Sequence, residues 1–418
     1  MGEGRSMTNR SIRVALFPDS LHEVNGVANT CRNFVAYAQR NSLPMLVVYA
    51  AGEAGIRQEG SLTHFAIRRG PVSFALETDL RFDLAIFRYY RQVTQALQAF
   101  QPDVLHITGP NDIGILGAVV AHRLGIPVAA SWHTNVHEYA ARRADRLLPR
   151  LLSGSPRTQT VQSIEDICFQ LSALFYRVAR FHFAPNQELI AKLQNATHKS
   201  CSLMERGVDL EMFSPAHRRR GADGRFVIGY VGRLSTEKQV RSFAQLSRTV
   251  RDAGLDNVKF VFVGHGNEEP WLREHVPGAE FTGVLRGEAL SRAYADMDLF
   301  AFFSETDTFG NVVLEALASG VPAVVTDKGG PKFIVEDGRS GFVCSSEAEF
   351  SAAVLRLARN AALHGEMAAA ARQRAERASW DAVFSGVYET YRRELPQLGE
   401  STDASRFRGS LERHQMRA

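Results

Sequence analysis

The chain has 418 residues, too many for one ordinary hydrophobic core and suited to two domains of similar size. An apolar share of 45% fits a globular protein, and a net charge of +4 favours anionic partners but is too small for a nucleic-acid binder. Four scattered cysteines, Cys31, Cys168, Cys201 and Cys344, have no metal-ligand spacing and read as reduced thiols of a cytoplasmic protein. No stretch approaches the roughly 20 apolar residues of a membrane span, and the opening MGEGRSMTNRS lacks the apolar core of a secretory leader.

IRVALF, from Ile12, reads as a buried strand. The loop PDSLHEVNGVANT and the helical CRNFVAYAQRN follow it, an order that turns backbone N–H groups near Gly26 toward a bound anion. One glycine in a turn is also ordinary. LPMLVVYA is the next strand, DLRFDLAIFRYYRQVTQALQAF reads as a helix, and QPDVLHITGP reads as a strand ending in a turn. A helix over GILGAVVAHRLG leads into the strand IPVAASWHT, so the alternation is that of parallel α/β units.

His133 comes directly after that strand, where ligands of open parallel sheets bind. A lone histidine there is more often structural, held by a hydrogen bond. Residues 141–157, ARRADRLLPRLLSGSPR, carry five arginines among leucines. They form either a solvated helix face and loop, the reading slightly preferred, or a basic amphipathic patch lying on an anionic membrane. After the long helix QTVQSIEDICFQLSALFYRVAR and the strand RFHFAPN comes SLMERGVDLEMFSP, and then the Arg- and Gly-rich HRRRGADGR, taken as the interdomain connection.

FVIGYVG begins the second domain. RLSTEKQV then sets Arg233 and Lys238 at a strand-to-helix junction, either as a clamp for a diphosphate or as a charged surface turn. VKFVFVGHG, FTG near Val284, and the helix GEALSRAYADMD continue the alternation. The segment that organises the chain is FFSETDTFGNVVLEALASG, from Phe302 to Gly320: strand, polar loop, helix N-terminus. Asp307 in the loop and Glu315 in the helix are not a same-face helical pair; they read either as acids around a phosphate-receiving loop that hold the hydroxyls of a polyol or as a solvated loop Asp and a helix Glu that cap or solubilise. VPAVVTDKGG, the loop PKFIVEDGRSGFV and two helical stretches complete the domain before a polar tail.

Taken together these motifs resemble the retaining glycosyltransferases of family 4, over nearly all of residues 12–392. The resemblance implies an α/β fold of the GT-B type, two facing Rossmann-like domains with parallel sheets. They are expected over 12–215 (acceptor side) and 225–375 (nucleotide-sugar side). A C-terminal helix over 376–392 is expected to pack back toward the first domain, and 393–418 is left as a polar tail. NGV at Asn25–Val27 is similar to the family's loop at the donor phosphates, which gives Gly26 that role. SWHT carries the family's active-site histidine, here His133, beside the donor sugar. RGVDLEMFSP resembles the family's interdomain signature, and GRLSTEK matches the diphosphate clamp, Arg233 and Lys238. Glu315 is expected to accept from the nucleotide ribose, backbone N–H groups of Phe309, Gly310 and Asn311 to hold phosphates and sugar, and Val284 to join the donor-binding set. Two positions depart from the family pattern: Asp307 replaces the commoner Glu, and Phe333 stands where many members have Glu.

The expected reaction moves a hexose of mannose or glucose type from GDP-mannose or a UDP-hexose to a lipid or glycan acceptor hydroxyl, with no metal and no further cofactor. The expected place is the cytoplasm, and if the alternative reading of 141–157 holds, that segment makes a peripheral contact at the inner membrane face. A sugar-nucleotide epimerase and a non-catalytic sugar-nucleotide binder are the alternatives. The first turn lacks the three-glycine fingerprint of a nicotinamide dehydrogenase.

Overall fold

The computed structural model describes residues 10–22, 26–70, 73–77, 80–132, 167, 169–221, 224–305, 307 and 309–395. His133, Asn25, the basic segment 141–157 and the tail beyond 395 lie outside them.

The first half is built on β1 (Val14–Phe17), β2 (Met45–Ala51), β3 (Gly55–Glu59) and β4 (Leu62–Arg68). After a separate two-stranded ribbon of β5 (Ser73–Glu77) and β6 (Leu80–Asp83) come β7 (Val104–Ile107), β8 (Val128–Ser131), β9 (Phe181–Ala184) and β10 (Cys201–Leu203). The sheet order is β10-β9-β8-β7-β1-β2-β4-β3, parallel throughout except where β3 turns back on β4. VALF in β1 and VLHI in β7 are buried at every position, as strands covered by helices on both faces must be. The order reverses between β1 and β7, which opens a crevice at their carboxyl ends.

The second half repeats the plan with β11 (Phe226–Val231), β12 (Val258–Val263), β13 (Glu280–Gly283), β14 (Leu299–Phe302), β15 (Ala323–Thr326) and β16 (Gly341–Cys344). These pair in parallel in the order β13-β12-β11-β14-β15-β16. Its reversal falls between β11 and β14. Tyr230, Phe243, Phe262, Phe300 and Phe302, all fully buried, fill the space between this sheet and its helices.

The chain passes between the halves twice, and the two passages lie side by side: the Val208 N–H donates to the Ala378 carbonyl at 3.0 Å. After the second passage the helix Trp380–Glu394 lies against the first half. Phe384 stacks on Phe34 at 4.6 Å, and the Tyr391 hydroxyl meets Nδ1 of His106, whose Nε2 is 2.9 Å from Ser131 Oγ.

Two expectations are corrected. The helix expected from Asp79 begins only at Tyr90, after strand β6 and a short 3-10 turn over Ile86–Tyr89. The buried Asp83 carboxylate causes the turn by accepting the N–H groups of Gly70 and Ala85 and pairing with Arg88. Burial alone would raise its pKa, but the hydrogen bonds from Arg88, Gly70 and Ala85 outweigh it and hold the group down at about 2. The segment HRRRGADGR, expected between the domains, is instead fastened to the second half. Arg218 and Arg220 both pair with Asp298, and Arg218 also donates to the Met297 carbonyl. The passage between halves comes earlier, around Arg206–Val208, at the start of the RGVDLEMFSP segment that resembles the family's interdomain signature.

Candidate active site

The β11–β14 crevice gathers most of the expected residues. Past β11, the chain turns through Arg233 into a 3-10 turn, Thr236–Lys238. Lys238 Nζ donates to both oxygens of Asp307, at 2.7 and 2.8 Å, and both side chains are largely enclosed. The Asp307 main chain is fixed in turn, its carbonyl accepting the Gly330 N–H at 2.6 Å. Arg233 is 71% exposed and stands 3.6 Å from Glu237. Lys238 therefore rests on Asp307, while Arg233 is largely exposed to solvent.

From Asp307 the loop leads to the helix Asn311–Ala318, in which the Val313 N–H already donates to the Gly310 carbonyl at 2.9 Å, while the N–H groups of Asn311 and Val312 lie ahead of the first helical turn's bonds. Gly310 caps it at φ +98°, a left-handed conformation that an L side chain resists. A Cβ there would also lie 3.0 Å from Pro331 Cγ. Phe309 is buried in the core, so only its backbone can meet a ligand. Glu315, about one turn into the helix, accepts the Tyr294 hydroxyl at 2.8 Å. Burial raises its pKa, and the Tyr294 bond offsets that in part. Val284 lies just past β13 at the sheet edge and is 64% exposed. Phe333 sits beneath the Lys332 ammonium, which also reaches Glu188 of the first half at 3.4 Å.

The first half meets this crevice at Gly26, the first residue of the helix Gly26–Arg40. A Cβ on Gly26 would lie 3.9 Å from Asn311 Nδ2, so the N-terminal ends of two helices from opposite halves converge. Each carries about half a positive charge, which makes the gap between them a place for an anion.

Sequence reasoning missed Asp19. It follows β1, at the β1–β7 crevice, with its N–H donating to Thr108 Oγ1 at 2.7 Å. Among the described residues its buried Oδ1 has no hydrogen-bond partner. A Cβ at Gly109 would fall 2.0 Å from Oδ2, so only glycine admits the carboxylate there. Burial first, then the nearby Asp112 charge, push its pKa up to about 7, against the Thr108 hydrogen bond and Arg69. The signal was present in the sequence: an acid two residues past a fully buried strand.

Among the described residues, no group of three or more His, Cys, Asp or Glu side chains is placed to hold a metal ion, and no helix is long and apolar enough to cross a membrane.

Comparison with known proteins supplies the context. Residues 24–164 match the model described as Glycosyltransferase Family 4, and residues 225–360 that described as Glycosyl transferases group 1. The GDP-mannose-dependent alpha-mannosyltransferase of Corynebacterium glutamicum is 30% identical over 393 residues, covering 91% of this chain and 89% of the relative. The enzyme of the same description from Mycobacterium tuberculosis is 32% identical over 346 residues, covering 79% and 83%. Among solved structures, sucrose-phosphate synthase of Thermosynechococcus elongatus superposes with a TM-score of 0.62 at 16% identity, covering 92% of this chain and 99% of its own, a likeness of fold.

Proposed function

The chain belongs to glycosyltransferase family 4, and from that membership we propose that it transfers mannose from GDP-mannose to a hydroxyl of a lipid or glycan acceptor. It is a retaining hexosyltransferase of the GT-B fold that uses a nucleotide-diphosphate sugar. The observation that carries the donor is the relation to the Corynebacterium mannosyltransferase, 30% identical along 91% of this chain.

The geometry supports a division of labour. The diphosphate lies where the Gly26 and Asn311 helix ends converge. Lys238 transfers its hydrogen bonds from Asp307 to the phosphates, and exposed Arg233 swings in beside it. Together they offset the negative charge that grows on the leaving diphosphate as the bond from C1 to its oxygen breaks. Asp307, released from Lys238, faces the sugar hydroxyls, and Glu315 accepts from the ribose. The acceptor hydroxyl attacks C1 on the face the diphosphate leaves, and its proton passes to the departing phosphate oxygen. Asp19, in the first-half crevice with an unsatisfied oxygen, accepts a hydroxyl of the acceptor and orients it. His133 is assigned to the donor sugar from SWHT. Because the lysine and arginine supply the cationic charge, the reaction is expected to proceed in EDTA.

The test is donor binding and slow hydrolysis by purified protein with GDP-mannose, UDP-glucose, UDP-galactose, UDP-N-acetylglucosamine and a UDP-sulfosugar, with and without EDTA. GDP-mannose is expected to bind tightest and to be hydrolysed at an EDTA-insensitive rate. Preference for a UDP sugar would overturn the donor assignment, and inhibition by EDTA the metal independence.

A further inference from the structure

Arg206 has no part in the site described so far. It belongs to the passage between the halves, directly before the Val208–Ala378 hydrogen bond, and is only 6% exposed. Its Nη1 donates to the Gly26 carbonyl at 3.0 Å and meets Thr30 Oγ1, while the Thr30 hydroxyl, itself buried, donates to the same Gly26 carbonyl at 2.9 Å. Guanidinium, hydroxyl and carbonyl thus close a small network on the first turn of the Gly26–Arg40 helix. That turn is the one in van der Waals reach of Asn311 in the opposite half.

We infer that Arg206 is a positioning residue for the donor diphosphate: it fixes the Gly26 turn against the Asn311 helix and adds a buried positive charge behind it. A helix N-terminus favours anions and disfavours cations, so a guanidinium in this place opposes the helix dipole in the absence of ligand. A diphosphate in front of the turn reverses that relation, because both the dipole and the cation then attract it. Burial lowers the Arg206 pKa from its ordinary value to about 10, which still leaves the group charged at neutral pH. Arg233 and Lys238 each lie beside a carboxylate on the second half and must leave it to engage the donor. Arg206 contributes instead from the first half and from a fixed place, so its effect depends on the halves being closed over the ligand.

The inference rests on the donor reading above, and the experiment separates the two. Full-length wild-type protein, Arg206→Met, Arg206→Gln and Arg206→Lys are titrated calorimetrically with GDP, UDP, guanosine and uridine, and melting temperatures are recorded for each. Wild type is expected to bind one diphosphate tightly. Arg206→Met is expected to bind it about 10-fold or more weaker with nucleoside affinity unchanged, since the lost term is a charge-assisted one. Arg206→Gln retains an N–H donor for the Gly26 carbonyl without the charge, so it serves if the Met variant does not fold and is expected to match the Met phenotype. Arg206→Lys, charged but without the fork, is expected to recover most of the affinity. Equal losses for diphosphate and nucleoside, or Met and Gln variants that bind diphosphate like wild type, would overturn the inference while the donor reading stands. Failure of wild type to bind either diphosphate would overturn the donor reading and this inference with it.

Discussion

The two crevices of the molecule sit at the same place in their sheets, yet they are prepared in opposite ways. In the second half, β11 and β14 deliver a cation and an acid already joined, Lys238 to Asp307, beside a helix end. In the first half, β1 and β7 deliver, next to the buried Arg69–Asp112 pair, the Asp19 carboxyl, whose buried Oδ1 has no hydrogen-bond partner among the described residues. A paired charge can wait in a ligand-free protein at small cost, whereas an unsatisfied buried acceptor costs about 1–3 kcal/mol until something donates to it. The contrast fits a half that receives the charged diphosphate and a half that receives a neutral hydroxyl.

The sharpest way to break this comparison is Lys238→Ala. If the second crevice handles the leaving group, turnover of the preferred donor is expected to fall by about 100-fold or more, with or without acceptor present. Asp19→Asn should act on the other side only. Transfer to acceptor is expected to drop by about 10-fold while donor hydrolysis and donor Kd stay at wild-type values. A loss of donor affinity in this variant would erase the distinction between the crevices.

Stability against pH sharpens the same point from within the first half. His106 is fully buried and held neutral, its pKa pushed down to about 3 by desolvation. The unfolded chain takes up that proton first, so His106 makes stability fall as pH drops from about 6.5 toward 3. Asp19, raised to about 7, works the other way. The folded state keeps a proton that the unfolded chain releases above about 4, so its contribution falls as pH rises toward 7. Each slope is about 1.4 kcal/mol per pH unit at most, and over the shared window they oppose one another. Denaturant melts are expected to show a shallow wild-type profile between pH 4 and 6.5 (about the span of the two ordinary pKa values). Asp19→Asn should steepen acid destabilisation, and His106→Gln should make stability decline with rising pH. Parallel profiles for all three proteins would remove both groups from the account.

The smallest expected effect concerns Asp307→Glu. The longer acid can still meet Lys238 but moves its carboxylate by about one methylene, so a change of about threefold in the ratio of GDP-mannose to UDP-glucose turnover is expected. Competition between the two donors measures it directly.

Much of this arrangement was legible in the sequence, and the reasons for the gaps are physical. Buried parallel strands announce themselves as apolar runs, so VALF, VLHI, FVIGYV and LFAF were visible, and so was the loop from Ser304 to Gly310. The helix start at Tyr90 was not, because Asp83 ends the preceding pattern through hydrogen bonds to Gly70 and Ala85, which no local periodicity reveals. The Lys238–Asp307 pair spans 69 positions and the Arg206–Gly26 contact 180, so neither leaves a trace in spacing. Residue type gave the chemistry of Lys238 and Asp307, but only topology gave their contact. Asp19 was passed over because an acid in a loop is ordinary until its burial is known.

The helix Trp380–Glu394 has a consequence for how the molecule is made. Phe384, Tyr388 and Tyr391 complete a core whose other members include Val14, Leu16, Phe34 and Phe183, all from the first half and translated well before this helix. The first half therefore emerges from the ribosome with an open apolar face and cannot close it until almost 200 later residues have followed; the Ser200–Glu394 hydrogen bond alone joins positions 194 apart. Domains synthesised first usually fold first. Here the second half can consolidate while the first still awaits its last element. Nascent chains stalled at residue 376 are thus expected to be cleaved by protease within the first half and protected in the second.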